Sequence, residues 1–502
     1  EIMPSLVGSE MCIRDREEGM EAEEFVSWFQ KTYLVSEEKS RLAWEIAKRE
    51  KQLLDQLDYE DGYSLYVGIP FCPTVCTYCS FSSGALEDWK DFVDDYVEAL
   101  CKELEFIGKV SKQKKLNSIY IGGGTPTSLN ARQLERILSC IDTHFSREYL
   151  LEYTVEAGRP DSITEEKLQV IKAHKVTRIS INPQTMQQKT LDIIGRKHTV
   201  EDICKTYEMA RNLGFDNINM DLIAGLPGET SVDMKDTLEK VGRLQPDSLT
   251  VHSLAIKRAA KMGQEVKEGQ SDASMCNISP EIGAMIREAE KAADDMGLKP
   301  YYLYRQKNIA GNLENVGYSK PGKECIYNIL IMEEKQTIIA IGAGASSKFV
   351  FNQDENEGTR IERVENVKNV DNYIDRIDEM IERKAKFMEE NHVGNAGQYE
   401  LIDNMINDFK SGISHGILVA NLSYRLALEL GITPEEAYDI KLAGMIHDVG
   451  KLKLSQYLYG RAVNAFSIEE LKYMRMHSKI GRDFLCGYDF NAVSYTHLTL
   501  PT

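Results

Sequence analysis

Residues Tyr66–Phe81 read YVGIPFCPTVCTYCSF, with Cys72, Cys76 and Cys79 spaced C-x3-C-x2-C. The apolar, β-prone lead-in (Leu65, Tyr66, Val67, Ile69) places the cysteines on a loop at a strand's end. Three thiolates on one short loop can converge on one metal centre. A closed structural zinc site normally takes four ligands, so three are too few for it. They fit a four-iron cluster with one iron left open, since such clusters are held by cysteine thiolates. A redox dithiol, or part of a zinc knuckle through Cys76-Thr-Tyr-Cys79, would use the same residues.

Beyond this loop the chain alternates between short β-rich runs and helical periods. Strands are expected at Ser64–Ile69, Ser118–Ile121, Leu151–Glu156, Thr177–Ile181, Asn217–Leu222 and Ser248–Val251. Between them, helices are expected at Trp89–Ile107, Ala131–Ile141, Glu165–Ala173, Gln187–Ile194, Val200–Leu213 and Val232–Leu244. Such alternation implies parallel βα units and an α/β fold, here an open, partial (β/α)6 TIM-like barrel. Functional residues of such barrels lie at the C-terminal ends of strands. The cysteines, Gly122–Gly124, Glu156, Gln184 and Asp221 all fall at or just past a predicted strand end. Further on, Pro280–Met296 reads as a helix, followed by Tyr301–Lys307. The β-rich Thr337–Ile341 leads into Gly342-Ala-Gly-Ala345, and Asn366–Lys386 reads as a long charged helix closing a domain of residues 61–386. Residues 17–60, with Phe25, Trp28, Phe29, Leu42, Trp44 and Ile46 at helical spacing, are expected to form a helix packed on the barrel. Residues 387–399 read as a linker containing Gly394 and Gly397.

A chain of 502 residues implies more than one domain. Its 42% hydrophobic and 28% charged residues are those of an ordinary soluble protein. A formal charge of −19 lacks the basic field of a general nucleic-acid binder. No apolar run reaches the ~18 residues of a membrane span. Cys101, Cys140, Cys204, Cys276, Cys325 and Cys486 are scattered, and a reducing cytoplasm suits both these thiols and a cluster. Segments 1–16 and 492–502, which include MPSLVGSEMCIRDR (Met3–Arg16) and VSYTHLTLPT (Val493–Thr502), look like translated sequencing-adapter DNA. Cys12 and His497 are therefore set aside, and the native protein is expected to extend further at both ends.

Gly122-Gly-Gly-Thr-Pro-Thr127 directly follows a predicted strand, where glycines let the backbone approach a ligand closely. Alone, the loop reads equally as a tight turn or a phosphate cradle. Together with Y-x-x-I-P-F-C and the three cysteines, it resembles the radical S-adenosylmethionine (SAM) enzymes. The resemblance is to the branch acting on tetrapyrroles, and within it to the HemZ-type oxygen-independent coproporphyrinogen III dehydrogenases. It runs over Ser64–Lys386 and includes IAGLPGE (Ile223–Glu229), LTVHSLAIKR (Leu249–Arg258) and YRQKNIAGNLENVGY (Tyr304–Tyr318).

The resemblance implies that Cys72, Cys76 and Cys79 hold a [4Fe-4S] cluster whose open iron is chelated by SAM. It further implies SAM contacts from Tyr66, Tyr78, Gly123, Gly124, Thr125 and Glu156. Gln184, Arg196, Asp221 and Ala255 match positions that contact a second SAM. Taken singly, Glu156 and Asp221 read equally as helix caps, and Arg196 as a surface cation. The implied reaction begins with an electron passed from an external donor through the cluster into SAM. This yields methionine and a 5′-deoxyadenosyl radical, which takes hydrogen from a propionate β-carbon. Loss of carbon dioxide and of one electron to an acceptor leaves a vinyl group. Done twice, this turns coproporphyrinogen III into protoporphyrinogen IX. Arg258, Arg305 and Lys307 are candidate partners for the substrate carboxylates. Two positions depart from the dehydrogenase pattern: Phe81 stands where that branch has a fourth cysteine, and Gly68 where it has a histidine. Phe81 is shared with the haem-chaperone branch, so a haem-binding protein is the alternative reading.

Residues 400–491 change character. Glu400–Asp408, His415–Leu430, Pro434–Leu454 and Ile468–Leu485 all have helical period, implying a separate all-α domain. Gly431-Ile-Thr-Pro434 would end one helix and start the next. His447-Asp448 lies in AGMIHDVGK, with His415 upstream and His477 downstream. Imidazoles and a carboxylate from packed helices can bind a divalent metal, although a lone histidine is more often structural. The pattern resembles the HD phosphohydrolase superfamily, at the start of an HD-GYP domain. That resemblance implies a divalent-metal site (iron or manganese) at His415, His447, Asp448 and His477, with Lys451 matching the family lysine. It also implies a metal-activated water attacking a cyclic dinucleotide. The later histidines, the Gly-Tyr-Pro loop and the distal aspartate are absent before Val493, so the HD domain is incomplete. A cyclic-dinucleotide hydrolase or regulator is the third reading of the chain.

Overall fold

The computed structural model describes residues 20–57, 59, 61–79, 84–254, 279–304, 314–352, 359–391, 393–394 and 415–446. The strands among them are β1 (Gly62–Ile69), β2 (Phe71–Cys72), β3 (Gly84–Ala85), β4 (Lys115–Gly123), β5 (Glu152–Gly158), β6 (Arg178–Ile181) and β7 (Ile218–Ala224). They continue with β8 (Ser248–Ser253), β9 (Lys299–Tyr304), β10 (Asn315–Ser319), β11 (Thr337–Ile341), β12 (Ser346–Asn352) and β13 (Thr359–Glu365). Apart from the short β2–β3 pair, all join one sheet in the order β13-β12-β11-β1-β4-β5-β6-β7-β8-β10-β9, which does not close. The six expected strands form its centre, β1 and β4–β8, parallel and in chain order.

The sheet is wider than the six strands expected. β11 adds in parallel to the free edge of β1, β12 and β13 continue antiparallel, and β10 and β9 extend the other side antiparallel from β8. Of the flanking strands, β10 and β11 are buried runs like β1, β4 and β7, whereas β13 is largely unburied. Helix starts are set locally. Asn130 and Gln133 form a capping box at Ala131–His144, and Thr199 and Asp202 another at Val200–Asn212.

Three boundaries differ from expectation. The helix expected at Trp89–Ile107 is a short Leu86–Trp89 turn and a separate Val93–Val110 helix. The helix expected at Asn366–Lys386 is broken into Val370–Asp375 and Ile377–Glu390. Asn366 itself is turned inward, its amide nitrogen 3.0 Å from Glu103 Oε1 and 2.9 Å from the Gly342 carbonyl. The second of these helices runs past the expected linker start at Phe387, with Met388 still buried.

The N-terminal residues form two helices, Ala22–Tyr33 and Glu37–Leu54, which meet through the tilted rings of Phe25 and Trp44 (centroids 5.1 Å). The second helix lies over β9, the outermost strand of one sheet edge. Arg49 donates to the Lys299 carbonyl at 2.8 Å and pairs with Glu324. Covering an edge strand in this way removes a template for unwanted pairing.

The chain divides into two compact units, one ending at Lys384 and the other beginning at Ala385. In the second, the described residues form helices 415–429 and Pro434–Ile446. Gly431 makes the turn at φ +80°, and Thr433 Oγ1 accepts from the Glu436 amide at 3.4 Å, as the sequence predicts. The two helices cross closely: a Cβ on Gly444 would lie 3.1 Å from Ala420 Cα. His415 lies in the first of these helices; His447, Asp448, Lys451 and His477 lie outside the described residues.

Candidate functional site

The cysteine loop leaves β1 and is fastened to the glycine loop that leaves β4. The Gly124 amide donates to the Ile69 carbonyl and the Thr125 amide to the Phe71 carbonyl, both at 2.7 Å. A Cβ on Gly124 would meet the Phe71 carbonyl oxygen at 2.6 Å, so only glycine fits there. Gly123 adopts φ +110°, which glycine alone takes freely. Thr125 Oγ1 donates to Cys72 Sγ at 3.5 Å. The far side of the cysteine loop is held by the segment after helix Gln188–Ile193, with Thr77 N on the Ile194 carbonyl (3.2 Å) and Thr74 Oγ1 on the Gly195 carbonyl (3.3 Å).

Cys72, Cys76 and Cys79, none in a disulfide, line a cavity of about 830 Å³. Tyr66, Tyr78, Gly123, Gly124, Thr125, Glu156, Gln184, Arg196 and Asp221 line the same cavity. The structure brings all these residues onto one surface. Ala255, Phe81, Arg258, Arg305 and Lys307 lie outside the described residues. Two placements are corrected. Glu156 and Asp221 are not at strand ends: β5 and β7 each run at least two residues further, and both side chains project from within the sheet. Among the described residues, no three His, Cys, Asp or Glu side chains converge to hold a single ion. Three thiolates that each take a different iron of a cluster stand apart by the width of that cluster, so convergence on one point is not required.

The cavity's inner wall is aromatic. Tyr120 stacks on Tyr327 with centroids 4.4 Å apart, and Tyr66 stacks on both at 6.2 and 6.1 Å. The Tyr120 hydroxyl donates to Glu156 Oε1. Burial pushes the Glu156 carboxyl up to about 7; the Tyr120 bond opposes this, and the neighbouring Asp221 charge adds to it. Asp221 goes the other way. Burial pushes it up, but the facing His252 ring, the Asn219 amide and the Arg178 charge outweigh this and hold it below the usual range. Asn219 Nδ2 donates to Asp221 Oδ1 at 2.6 Å, and His252 Nε2 is 3.8 Å from Asp221 Oδ2. His252 Nδ1 in turn lies 2.7 Å from the Tyr304 hydroxyl.

Gln184 has φ +67°, a conformation that costs a non-glycine residue on the order of 1–3 kcal/mol and clusters at functional sites. It is fixed there by its amide on the Asp221 carbonyl and its carbonyl on the Ile223 amide, both at 2.9 Å. Among the described residues, Gln184 Oε1 and Arg196 Nε are buried with no hydrogen-bond partner. Unpaired buried polar atoms are costly, and both belong to residues that line the cavity. Three thiols, a bare glycine backbone, an aromatic wall and polar Gln184 and Arg196 side chains fit a thiolate-held cluster with a charged organic ligand beside it.

The sequence reading missed Tyr120, Tyr327, His252, Arg159 and Arg178. Period-2 alternation from Gly122 would have pointed Tyr120 inward. Arg159, three residues after Glu156 and just past β5, carries the same strand-end signal as Gln184 does. Nothing in the sequence around Tyr327 marks it as facing the cavity.

Residues 66–241 match the family model described as the Radical SAM superfamily. The oxygen-independent coproporphyrinogen-III oxidase-like protein HemZ of Bacillus subtilis is 44% identical over 353 residues, 70% of this chain and 70% of that one. The heme chaperone HemW of Bacillus subtilis is 32% identical over 285 residues, 56% of this chain and 70% of that one. Among solved structures, coproporphyrinogen III oxidase (HemN) from Escherichia coli matches with a TM-score of 0.50 at 21% identity, covering 66% of this chain and 73% of that one. That likeness is one of fold.

Proposed function

The chain belongs to the radical SAM superfamily, and from that premise we propose that it removes carboxyl groups oxidatively from the propionates of coproporphyrinogen III, leaving vinyl groups. The observation that carries this reading is the single cavity on which Cys72, Cys76 and Cys79 meet the glycine loop, Glu156 and the tyrosine wall. When bound, the cluster and SAM supply an electron and a carbon-centred radical able to take hydrogen from an unactivated carbon. The chain's own residues do the rest. Cys72, Cys76 and Cys79 hold the cluster. The Gly123–Thr125 backbone and Glu156 take the amino-acid end of SAM, and Tyr66 packs beside it. Gln184, Arg196 and Asp221 hold a second charged ligand further along the sheet. The stacked tyrosines exclude water from the reacting carbon. Arg258, Arg305 and Lys307 remain the proposed partners of the substrate carboxylates.

The test is anaerobic incubation of the reconstituted chain with SAM, a reductant and coproporphyrinogen III. Protoporphyrinogen IX with matching release of carbon dioxide supports the reading. SAM cleavage without decarboxylation, together with stable haem binding, would replace it with the second reading, a haem chaperone. Phe81, Gly68 and the similarity to HemW favour that alternative. For residues 400–491, the sequence supports an HD-type divalent-metal phosphohydrolase fragment acting on a cyclic dinucleotide. Loss of stoichiometric iron or manganese on His447→Ala, measured after the [4Fe-4S] iron is accounted for, tests it.

A further inference from the structure

Arg159 follows β5 and is 3% exposed. Its guanidinium is held at both edges. Nε and Nη2 take the two Asp161 carboxylate oxygens at 3.0 and 2.6 Å. Nη1 donates to Thr74 at its carbonyl (2.8 Å) and its hydroxyl (2.7 Å), and lies 3.8 Å from Cys76 Sγ. The cation is therefore pinned against one sulfur of the cysteine loop, with its counter-charge on the edge away from that sulfur. His198 Nδ1 lies 3.4 Å from Asp161 Oδ1.

Hydrogen bonds to sulfur, net charge and solvent exposure set the potential of a thiolate-held cluster. Reduction adds one negative charge. A buried, weakly screened cation at a ligand sulfur stabilises the reduced form more than the oxidised one. We propose that Arg159 is a positioning residue that raises the reduction potential of the cluster through Cys76, and that Asp161 sets how much of its charge the cluster feels. The proposal rests on the reading of Cys72, Cys76 and Cys79 as cluster ligands. It concerns an arginine that has no place in the SAM contacts drawn from the family resemblance.

The experiment is an anaerobic redox titration of the reconstituted full chain, followed by visible absorption and by the electron paramagnetic resonance of the reduced cluster. At the potential where the unmodified cluster is half reduced, Arg159→Gln is expected to lower the reduced-to-oxidised ratio about tenfold, which is about 59 mV for one electron. Arg159→Lys, which keeps the charge, recovers part of that loss. Asp161→Asn shifts the ratio in the opposite direction, because it removes the compensating anion. A purely structural role predicts no such opposition between two residues that touch. An unchanged ratio in Arg159→Gln, or a shift of the same sign in Asp161→Asn, overturns the proposal. If Arg159→Gln fails to fold, the sign seen with Asp161→Asn decides. An unmodified chain that assembles no cluster overturns both this inference and the reading beneath it. A normal cluster whose potential ignores Arg159 overturns this inference alone.

Discussion

Lys384 Nζ lies 2.5 Å from Glu103 Oε1, and neither side chain is exposed to solvent. Glu103 Oε2 also accepts from the Gly342 amide (3.0 Å) and the Tyr373 hydroxyl (2.5 Å). Tyr96, whose ring is tilted against that of Tyr373 (centroids 5.3 Å), donates to the Gly68 carbonyl at 2.7 Å. The network thus fixes the turn after β11 beside the strand that carries the cysteine loop. Replacing one member leaves a buried charge with no counter-charge. Lys384→Met is expected to destabilise the first unit by about 3–5 kcal/mol, and the double variant Lys384→Met/Glu103→Leu by much less. Urea unfolding of these two variants and of Glu103→Leu checks this. A double loss equal to the sum of the two single losses would mean that the pair is not coupled.

Gly124→Ala would press its Cβ against two backbone oxygens, Phe71 O at 2.6 Å and Ile69 O at 3.0 Å. Neither can rotate away as a side chain could. A loss of about 1–3 kcal/mol is expected from the clash, together with weakened SAM binding measured by anaerobic calorimetry. Gly195→Ala, where nothing lies within 4 Å but φ is +78°, should cost stability without touching SAM affinity.

Cys76→Ser is expected to abolish the iron–sulfur absorption band and SAM cleavage. Cys101→Ser should leave both intact. Cys101 is buried between helices Val93–Val110 and Ala131–His144, its carbonyl 3.5 Å from Cys140 Sγ, away from the cavity. A Cys76→Ser protein with a full band would sink the cluster assignment.

Glu156, pushed up to about 7 from 4.5, gives two pH dependences. Between those values the folded chain keeps a proton that the unfolded chain has lost. Stability from this group is therefore complete below about pH 4.5, falls as pH rises, and levels off above about 7. The difference in urea midpoint between the unmodified chain and Glu156→Gln should follow that curve. Binding a cationic ligand needs the ionised carboxylate, so SAM affinity should rise about tenfold from pH 6 to 8. That rise should vanish in Glu156→Gln.

The centre of the sheet was legible because its strands are continuous apolar runs with helical periods between them, and the cysteine and glycine loops announce their own strand ends. The two edges were not. β12 and β13 alternate too weakly to stand out, and Asn366 looks like a helix start until its amide is seen to serve Glu103. The candidate site was legible where residues lie on consecutive strands, as Tyr66, Gly123 and Glu156 do. It was illegible where a distant segment closes the wall, as Tyr327 does from helix Ile326–Glu333. No local pattern encodes which face such a helix turns inward.

The seam between β1 and the β11 region has a consequence for how the protein is made. Ser64 Oγ donates to Gln336 Oε1 at 2.8 Å across 272 positions of sequence. At about 5–20 residues per second of synthesis, the strand bearing the cysteines waits on the order of tens of seconds for its second neighbour to leave the ribosome. Throughout that interval one edge of β1 is open, and the turn that braces Gly68 does not yet exist. Iron and sulfide delivered to the nascent chain would meet a half-walled pocket. A cluster at Cys72, Cys76 and Cys79 would therefore be fully walled only once β11 has been made and has paired with β1.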